Sequence, residues 1–381
     1  MNEKPVKLAI VGGGAAGMFA AAVAADFGIP CVLIERKARL GSKVLMTANG
    51  RCNFTKDLSP EQFLKDLDPL NTRQECRVSS FVAEAIRDCP PRKIIAGFKS
   101  LNVPLRRMPD GRMFPADGKA ATIVHAFGDL LRDSEVPILT NCPVKGIERL
   151  RSKVEVDSGN FVLHTRNFDL LAENVLIATG GVSYPKTGSV GDGQNFAKQL
   201  GHRLVPYQPG LIGMETNDRR VTSLAGRRFE DGRAKVIGPD GATLFDYSGE
   251  VDCESFGLSG AAVYNCQRFI EHAELKDFTL EVWFDRNRLR FSNLRPRPVK
   301  EAIVTIGGVS REDVDPDTME SKRVPGLFFA GEVLDIDGPT GGYNLTLAFA
   351  TARKAVTAVA ERKPWTDSPS KSARSKSTAR S

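Results

Sequence analysis

No C-x-x-C pair occurs in these 381 residues, and the seven cysteines, at 31, 52, 76, 89, 142, 253 and 266, are odd in number and scattered. That pattern excludes a disulfide framework and a zinc ribbon, and it suits a reducing, cytoplasmic setting. The four histidines, His125, His164, His202 and His272, are isolated and lack ligand spacing, so no metal site is expected. There is no internal repeat. There is also little basic surface to expect, because +4 of the net charge of +7 lies on the last 19 residues. Nucleic acid is therefore not expected as a partner. With 41% hydrophobic and 26% charged residues, disordered, collagen-like and multi-span membrane classes are excluded. The single long apolar run, Leu8 to Ala25, carries Gly12, Gly13, Gly14 and Gly17. A membrane or signal helix gains nothing from them, whereas a strand, a tight turn and a helix use each one.

What is present reads as an α/β chain of two units. Val6 to Val11 predicts a buried strand, Gly14 to Phe27 a small-residue helix, and Cys31 to Glu35 a second parallel strand. Helices follow over 60–105 and near 124–131, then strands near 136–140, 154–163 and 173–178. The stretch 205–284 predicts a β-rich insert with one helix, 258–271. Short strands return at 302–306 and 326–330, and a helix follows over 345–361. The expected organisation is a discontinuous cofactor domain, 1–190 with 300–362, an inserted β-rich substrate or cap domain, 191–299, and a disordered basic tail, 363–381.

Gly12-x-Gly14-x-x-Gly17 lies directly after a strand and opens a helix, and Glu35 ends the next strand. Gly12 permits the turn, Gly14 lets backbone approach a pyrophosphate, and Gly17 lets helix and strand pack closely. Glu35 is placed to accept hydrogen bonds from ribose hydroxyls. This combination points to dinucleotide binding. Three later segments favour FAD over NAD. They are the cation- and amide-bearing loop Lys43 to Asn53, the strand 175–181 ending in small residues, and a strand ending at Gly331-Glu332 followed by glycines and a helix near Asn344. No second G-x-G-x-x-G is present, so a nicotinamide cofactor would visit transiently.

The blocks IVGGGAAGM, GRCNFT (50–55), GRMFPADGKA (111–120), ATGGVSYPKTGSVGDG (178–193), FGLSGAAV (256–263), EAIVTIGGVS and PGLFFAGEVLDIDGPTGGYNLTLAFATA resemble the bacterial BaiN-like flavoproteins, aminoacetone-oxidase-like FAD-binding enzymes. The resemblance spans residues 6 to 360. It implies a Rossmann-like, two-dinucleotide-type FAD-binding fold with a β-rich insertion over the flavin. By that resemblance Gly12, Gly14, Ala16 and Gly17 cradle the pyrophosphate, Glu35 holds the adenosine ribose, and Val144 meets the adenine. Arg51, Asn53 and Thr55 line the phosphate and ribityl region, Gly180 lies by the nucleotide, and Gly331, Glu332, Asn344 and Leu345 approach the ribityl chain and ring. Two departures stand out. Ala48-Asn49 replaces two glycines usual before the GRCN block, and the stretch from Gly260 to Glu301 is shorter than in the family, implying a more open flavin face.

The expected activity is an FAD-dependent oxidoreductase reduced by NAD(P)H that passes hydride to an activated C=C of a small organic substrate. Two other readings stay open: a flavin oxidase or dehydrogenase of an amine or alcohol, and a non-catalytic flavin-binding protein acting through its basic tail. Tyr184, Lys186 and Tyr343 are candidate proton donors, as they lie in loops expected near the ring. Cys52 has no partner cysteine nearby in sequence and is expected to pack.

Overall fold

Apolar residues from Leu8 to Val11 are buried on both faces, as a central parallel strand requires, and they complete β1 (Val6–Val11). The computed structural model describes residues 4–68, 78–150 and 161–362. The chain continues through α1 (Ala15–Asp26) to β2 (Cys31–Ile34). β1 pairs in parallel with β2 on one side and with β3 (Asp169–Ile177) on the other. Ile138–Leu139 extends the sheet beyond β2. The far edge of β3 is shared: Phe161–His164 pairs antiparallel with its start, and β4 (Leu327–Phe329) pairs parallel with its end. A C-terminal segment is thereby laid beside the N-terminal βαβ unit.

α3 (Tyr343–Glu361) packs on α1, with Phe349 and Phe19 ring centroids 4.9 Å apart, and Phe98 and Phe127 complete the aromatic cluster. α1 in turn lies unusually close to the sheet. A Cβ added at Gly17 would fall 1.8 Å from the Gly12 carbonyl oxygen, so only glycine fits there.

A second core gathers residues between Met214 and Phe291. It lies under a four-stranded antiparallel sheet, in the order Thr243–Ser248, Arg233–Ile237, Thr279–Phe284, Asn287–Ser292, and a five-stranded sheet that includes Val251–Glu254 and Gly257–Ser259. Across it runs α2 (Ala261–His272), the helix expected near 258–271. Phe196 and Ala197, on the helix Asp192–Gln199, pack in the first core. The tail expected at 363–381 lies outside the described residues.

α2 is pinned to the loop before α3. Arg268 and Asp337 form an ion pair whose side chains are 3% and 2% exposed, and His272 Nε2 lies 3.0 Å from the same carboxylate. Asn265 exchanges two hydrogen bonds with Thr340, from its Nδ2 to the hydroxyl at 2.8 Å and from the Thr340 N–H to its Oδ1 at 3.0 Å. The second core is thus held over the C-terminal edge of the parallel sheet, where open α/β sheets place their ligands.

Candidate cofactor and substrate site

Gly14 caps α1 in an extended conformation, φ −80° and ψ −165°, which any residue adopts. A Cβ there would meet nothing within 4 Å. Neither the backbone nor any neighbouring protein atom requires glycine at this position, and the free space opens onto the first turn of a twelve-residue helix. That turn offers unsatisfied N–H donors and the positive end of the helix dipole. An anionic group approaching the helix N-terminus fits this arrangement, as a pyrophosphate does.

Two spaces meet at Gly14. A narrow cleft of about 70 Å³ is lined by Gly12, Gly13, Glu35, Cys142 and Val144. Glu35 is buried at the end of β2, and its two carboxylate oxygens accept from the N–H groups of Gly13 and Lys37, both at 2.7 Å. Those bonds fix its orientation and leave lone pairs facing the cleft. The second space is a cavity of about 950 Å³ that extends from Gly14 and Ala16 under the second core. Arg51, Asn53, Gly180, Gly331, Glu332, Asn344 and Leu345 line it.

The four polar side chains among them are each held by a neighbour. Asn53, with its amide oriented to satisfy both ends, accepts from Gly342 N at 3.2 Å and donates to Thr55 O at 2.9 Å. Asn344 closes the loop before α3 by accepting from Gly338 N and donating back to Gly338 O, both at 2.9 Å. Arg51 lies over the Phe114 ring at 5.6 Å. Glu332 is gripped by Lys43 Nζ at 2.7 Å, Ser183 Oγ at 3.2 Å and Thr305 N at 2.7 Å.

Several expectations are corrected. Thr55 is fully buried and shares a hydrogen bond of 2.7 Å with Thr346, so it ties the GRCN block to α3 and does not line the cavity. Gly17 packs α1 on the turn and is not in the cavity wall. Tyr343 is buried, stacks on Phe63 at 4.8 Å and donates to Asp66 at 2.5 Å; burial followed by the Asp66 charge pushes its hydroxyl pKa well up. Lys186 is exposed on a short turn outside the cavity. Of the three proton-donor candidates, Tyr184 alone faces the cavity. Cys52 is fully buried, and burial pushes its thiol up to about 12, which leaves it unreactive.

Sequence reasoning passed over Lys43 as an individual site residue, and it missed Ser183, Ser259 and Tyr264. The last two lie at or just beyond the FGLSGAAV block, which was the available signal. Among the described residues, no cluster of three His, Cys, Asp or Glu side chains could hold a metal ion. No described helix is long and apolar enough to cross a membrane.

The family model described as HI0933-like protein Rossmann domain matches residues 6–358. A 3-dehydro-bile acid delta(4,6)-reductase of Clostridium scindens is 27% identical over 426 aligned positions, spanning 93% of this chain and 99% of the relative. A ribosomal RNA dihydrouridine synthase of Haemophilus influenzae is 25% identical, spanning 90% and 96%. In fold, the chain is similar to the 3-ketosteroid delta1-dehydrogenase of Sterolibacterium denitrificans, with a TM-score of 0.58 at 12% identity over 94% of this chain and 100% of that one. It is also similar to a 3-ketosteroid-delta4-(5alpha)-dehydrogenase of Rhodococcus jostii, with a TM-score of 0.56 at 13% identity over 95% and 98%. The chain belongs to the HI0933-like Rossmann family, that of the BaiN-like flavoproteins its motifs resemble, and has its Rossmann-like FAD-binding fold.

Proposed function

We propose that this FAD-dependent oxidoreductase takes hydride from NAD(P)H and delivers it to an activated C=C of a small organic substrate. One observation carries the reading: the vacant Cβ space at Gly14 opens into a cavity of about 950 Å³, which continues past the cofactor cradle under the second core. Ligand pockets run from about 300 to 1,000 Å³, so the space suits a dinucleotide with part of a second molecule. FAD, when bound, supplies hydride acceptance and delivery. Gly12, Gly14 and Ala16 would hold its pyrophosphate, Glu35 and Val144 its adenosine end, and Arg51, Asn53, Gly180, Gly331, Glu332, Asn344 and Leu345 the remainder. The first turn of α3 reaches the same cavity through Asn344 and Leu345, and its N–H groups favour negative charge there by roughly 1–2 kcal/mol.

The names of the relatives support the acceptor. A delta(4,6)-reductase and a dihydrouridine synthase both take their names from saturating a carbon–carbon double bond. A second reading, that the alkene belongs to an RNA base, is favoured by one feature of the insert. Trp283 lies among Arg288, Lys235 and Arg233, at 5.3, 5.4 and 5.8 Å, on the outer sheet face. Anaerobic mixing tests the proposal. NADH or NADPH should bleach the flavin absorbance within seconds, and a conjugated enone should restore it. Bleaching by neither nucleotide removes the donor, and restoration by RNA but not by enones favours the second reading.

A further inference from the structure

Three short strands, Thr55–Lys56, Arg112–Pro115 and Leu105–Arg107, make an antiparallel sheet in the wall of the large cavity. Thr55 stands opposite Met113, and Lys56 stands opposite Arg112. Residues directly opposite share a face of the sheet. Thr55 and Met113 are accordingly buried, while Lys56 and Arg112 line the cavity. Two cations on opposed positions destabilise a strand pair unless something compensates them. Arg112 is compensated, by Asp110 at 2.6 Å and by Glu250 of the insert at 3.5 Å.

Lys56 has no such compensation. It is half-buried, and its ammonium meets one partner among the described residues, the Tyr343 ring, whose centroid is 5.7 Å away. The nearby carboxylates are engaged elsewhere: Asp57 by Arg107 at 2.8 Å, Asp110 by Arg112, and Asp66 by the Tyr343 hydroxyl. An ammonium carries three N–H donors, and a ring face takes up only part of that capacity. Arg51, over Phe114 on the same wall, donates to the Ala48 carbonyl and likewise has no carboxylate partner among the described residues. Other cations of the cavity are paired: Lys43 with Glu332, Arg228 with Asp252, and Arg297 with Glu215 and Glu301. Lys300 is unpaired too, but it is exposed. Lys56 is thus the half-buried, uncompensated cation of this wall.

We propose that Lys56 receives an oxyanion, a carboxylate or a phosphate, carried by the molecule that shares this cavity with the cofactor. Lys56 lies outside the set of residues assigned above to FAD, so the anion belongs to a second molecule. Where the bearer is the alkene, the substrate class narrows to conjugated enones with a carboxylate remote from the double bond. The inference rests on the reading above for the alkene itself. An anion held at this wall fixes which end of the substrate faces the small sheet, and so orients the double bond before hydride transfer. Lys56 is a specificity-determining residue in this account and takes no part in bond making.

Lys56→Met in the FAD-loaded, oxidised protein tests this by equilibrium binding, read from the perturbed visible spectrum, so no turnover is needed. The probes are cyclohex-2-enones carrying a carboxylate on alkyl tethers of graded length, together with their methyl esters. At the best tether the wild type should bind the acid at least about tenfold more tightly than its ester, roughly 1.4 kcal/mol, as one charge-assisted hydrogen bond supplies. Lys56→Met should abolish that preference and change ester binding less than about twofold, whereas Lys56→Arg should keep most of it. If Lys56→Met does not fold, Lys56→Gln carries the same test. A loss in the variant that falls on NAD+ or NADP+ and not on the acids assigns the oxyanion to a nucleotide phosphate. A variant that binds acids, esters and both nucleotides as the wild type does overturns the proposal. The proposed function fails separately, in a flavin that NAD(P)H bleaches but no conjugated alkene reoxidises, and the binding result stands apart from that outcome.

Discussion

Lys43 and Glu332, 289 residues apart in the chain, meet at the cavity wall with Nζ 2.7 Å from the carboxylate. Lys43 follows the βαβ unit, and Glu332 follows the strand laid against β3, so the pair joins the two ends of the cofactor domain. Ser183 and Thr305 N complete the carboxylate's partners. Removing the cation leaves a partly buried carboxylate short of one charged donor. Lys43→Met should lower stability by about 1–3 kcal/mol in urea unfolding. Glu332→Gln keeps the shape and should mainly weaken FAD retention on gel filtration; unaltered retention would remove Glu332 from the cofactor site.

Gly14 and Gly17 belong to one fingerprint but answer to different constraints. A Cβ at Gly17 collides with Gly12 O at 1.8 Å, whereas one at Gly14 enters open space. Gly17→Ala should therefore yield insoluble or unfolded protein. Gly14→Ala should fold with wild-type circular dichroism and bind FAD about tenfold more weakly or worse, a loss of at least roughly 1.4 kcal/mol. Equal FAD affinity in Gly14→Ala would show that the open space serves something other than the cofactor.

The pair Ala48-Asn49 holds a backbone conformation that suits glycine. Both residues have positive φ, +48° and +55°, and Gly50 continues the left-handed run at +82°. Alanine in that conformation costs roughly 1–2 kcal/mol, part of which glycine gives back through its greater unfolded-state freedom. Ala48→Gly should therefore stabilise the protein by about 0.5 kcal/mol, read as a higher urea midpoint at constant slope. Asn49→Gly should gain less, because asparagine tolerates this region. A destabilised Ala48→Gly variant would mean that the strain is relieved elsewhere in the loop.

The βαβ unit was legible because its logic is local: strand, turn, helix and carboxylate fall within residues 6–35, and each residue's duty follows from its neighbours. Motif adjacency does less for the C-terminal loop. It brings Tyr343, Asn344 and Leu345 to the same turn of α3, but successive helical residues point about 100° apart. Tyr343 therefore turns into the core onto Phe63 while Asn344 and Leu345 reach the cavity. Thr55 differs for another reason: it stands two residues beyond Asn53, where alternation would give it the same face, but its hydroxyl is taken up by Thr346 on α3. The Lys43–Glu332 contact was not legible at all, and for Tyr264 the only signal was the FGLSGAAV block directly before it. Each depends on which surfaces the insert and the returning C-terminal segment bring together, and that is fixed by long-range packing.

Asp337 makes the hold of α2 on the cofactor domain sensitive to acid. Burial alone would raise its pKa, but the Arg268 charge, then His272, overcome this and hold the carboxyl well below its ordinary range. A carboxyl depressed in the folded state contributes stability above its unfolded pKa, about 3.9, and loses it as pH falls through that value toward the folded one. Asp337→Asn should cost about 3–5 kcal/mol at pH 7, because it strands a buried guanidinium. It should also flatten the acid limb, so that between roughly pH 5 and 3 the variant loses less further stability than the wild type. Urea unfolding across that range reads both effects. Parallel acid limbs in the two proteins would show that the Arg268–Asp337 pair does not control the acid response.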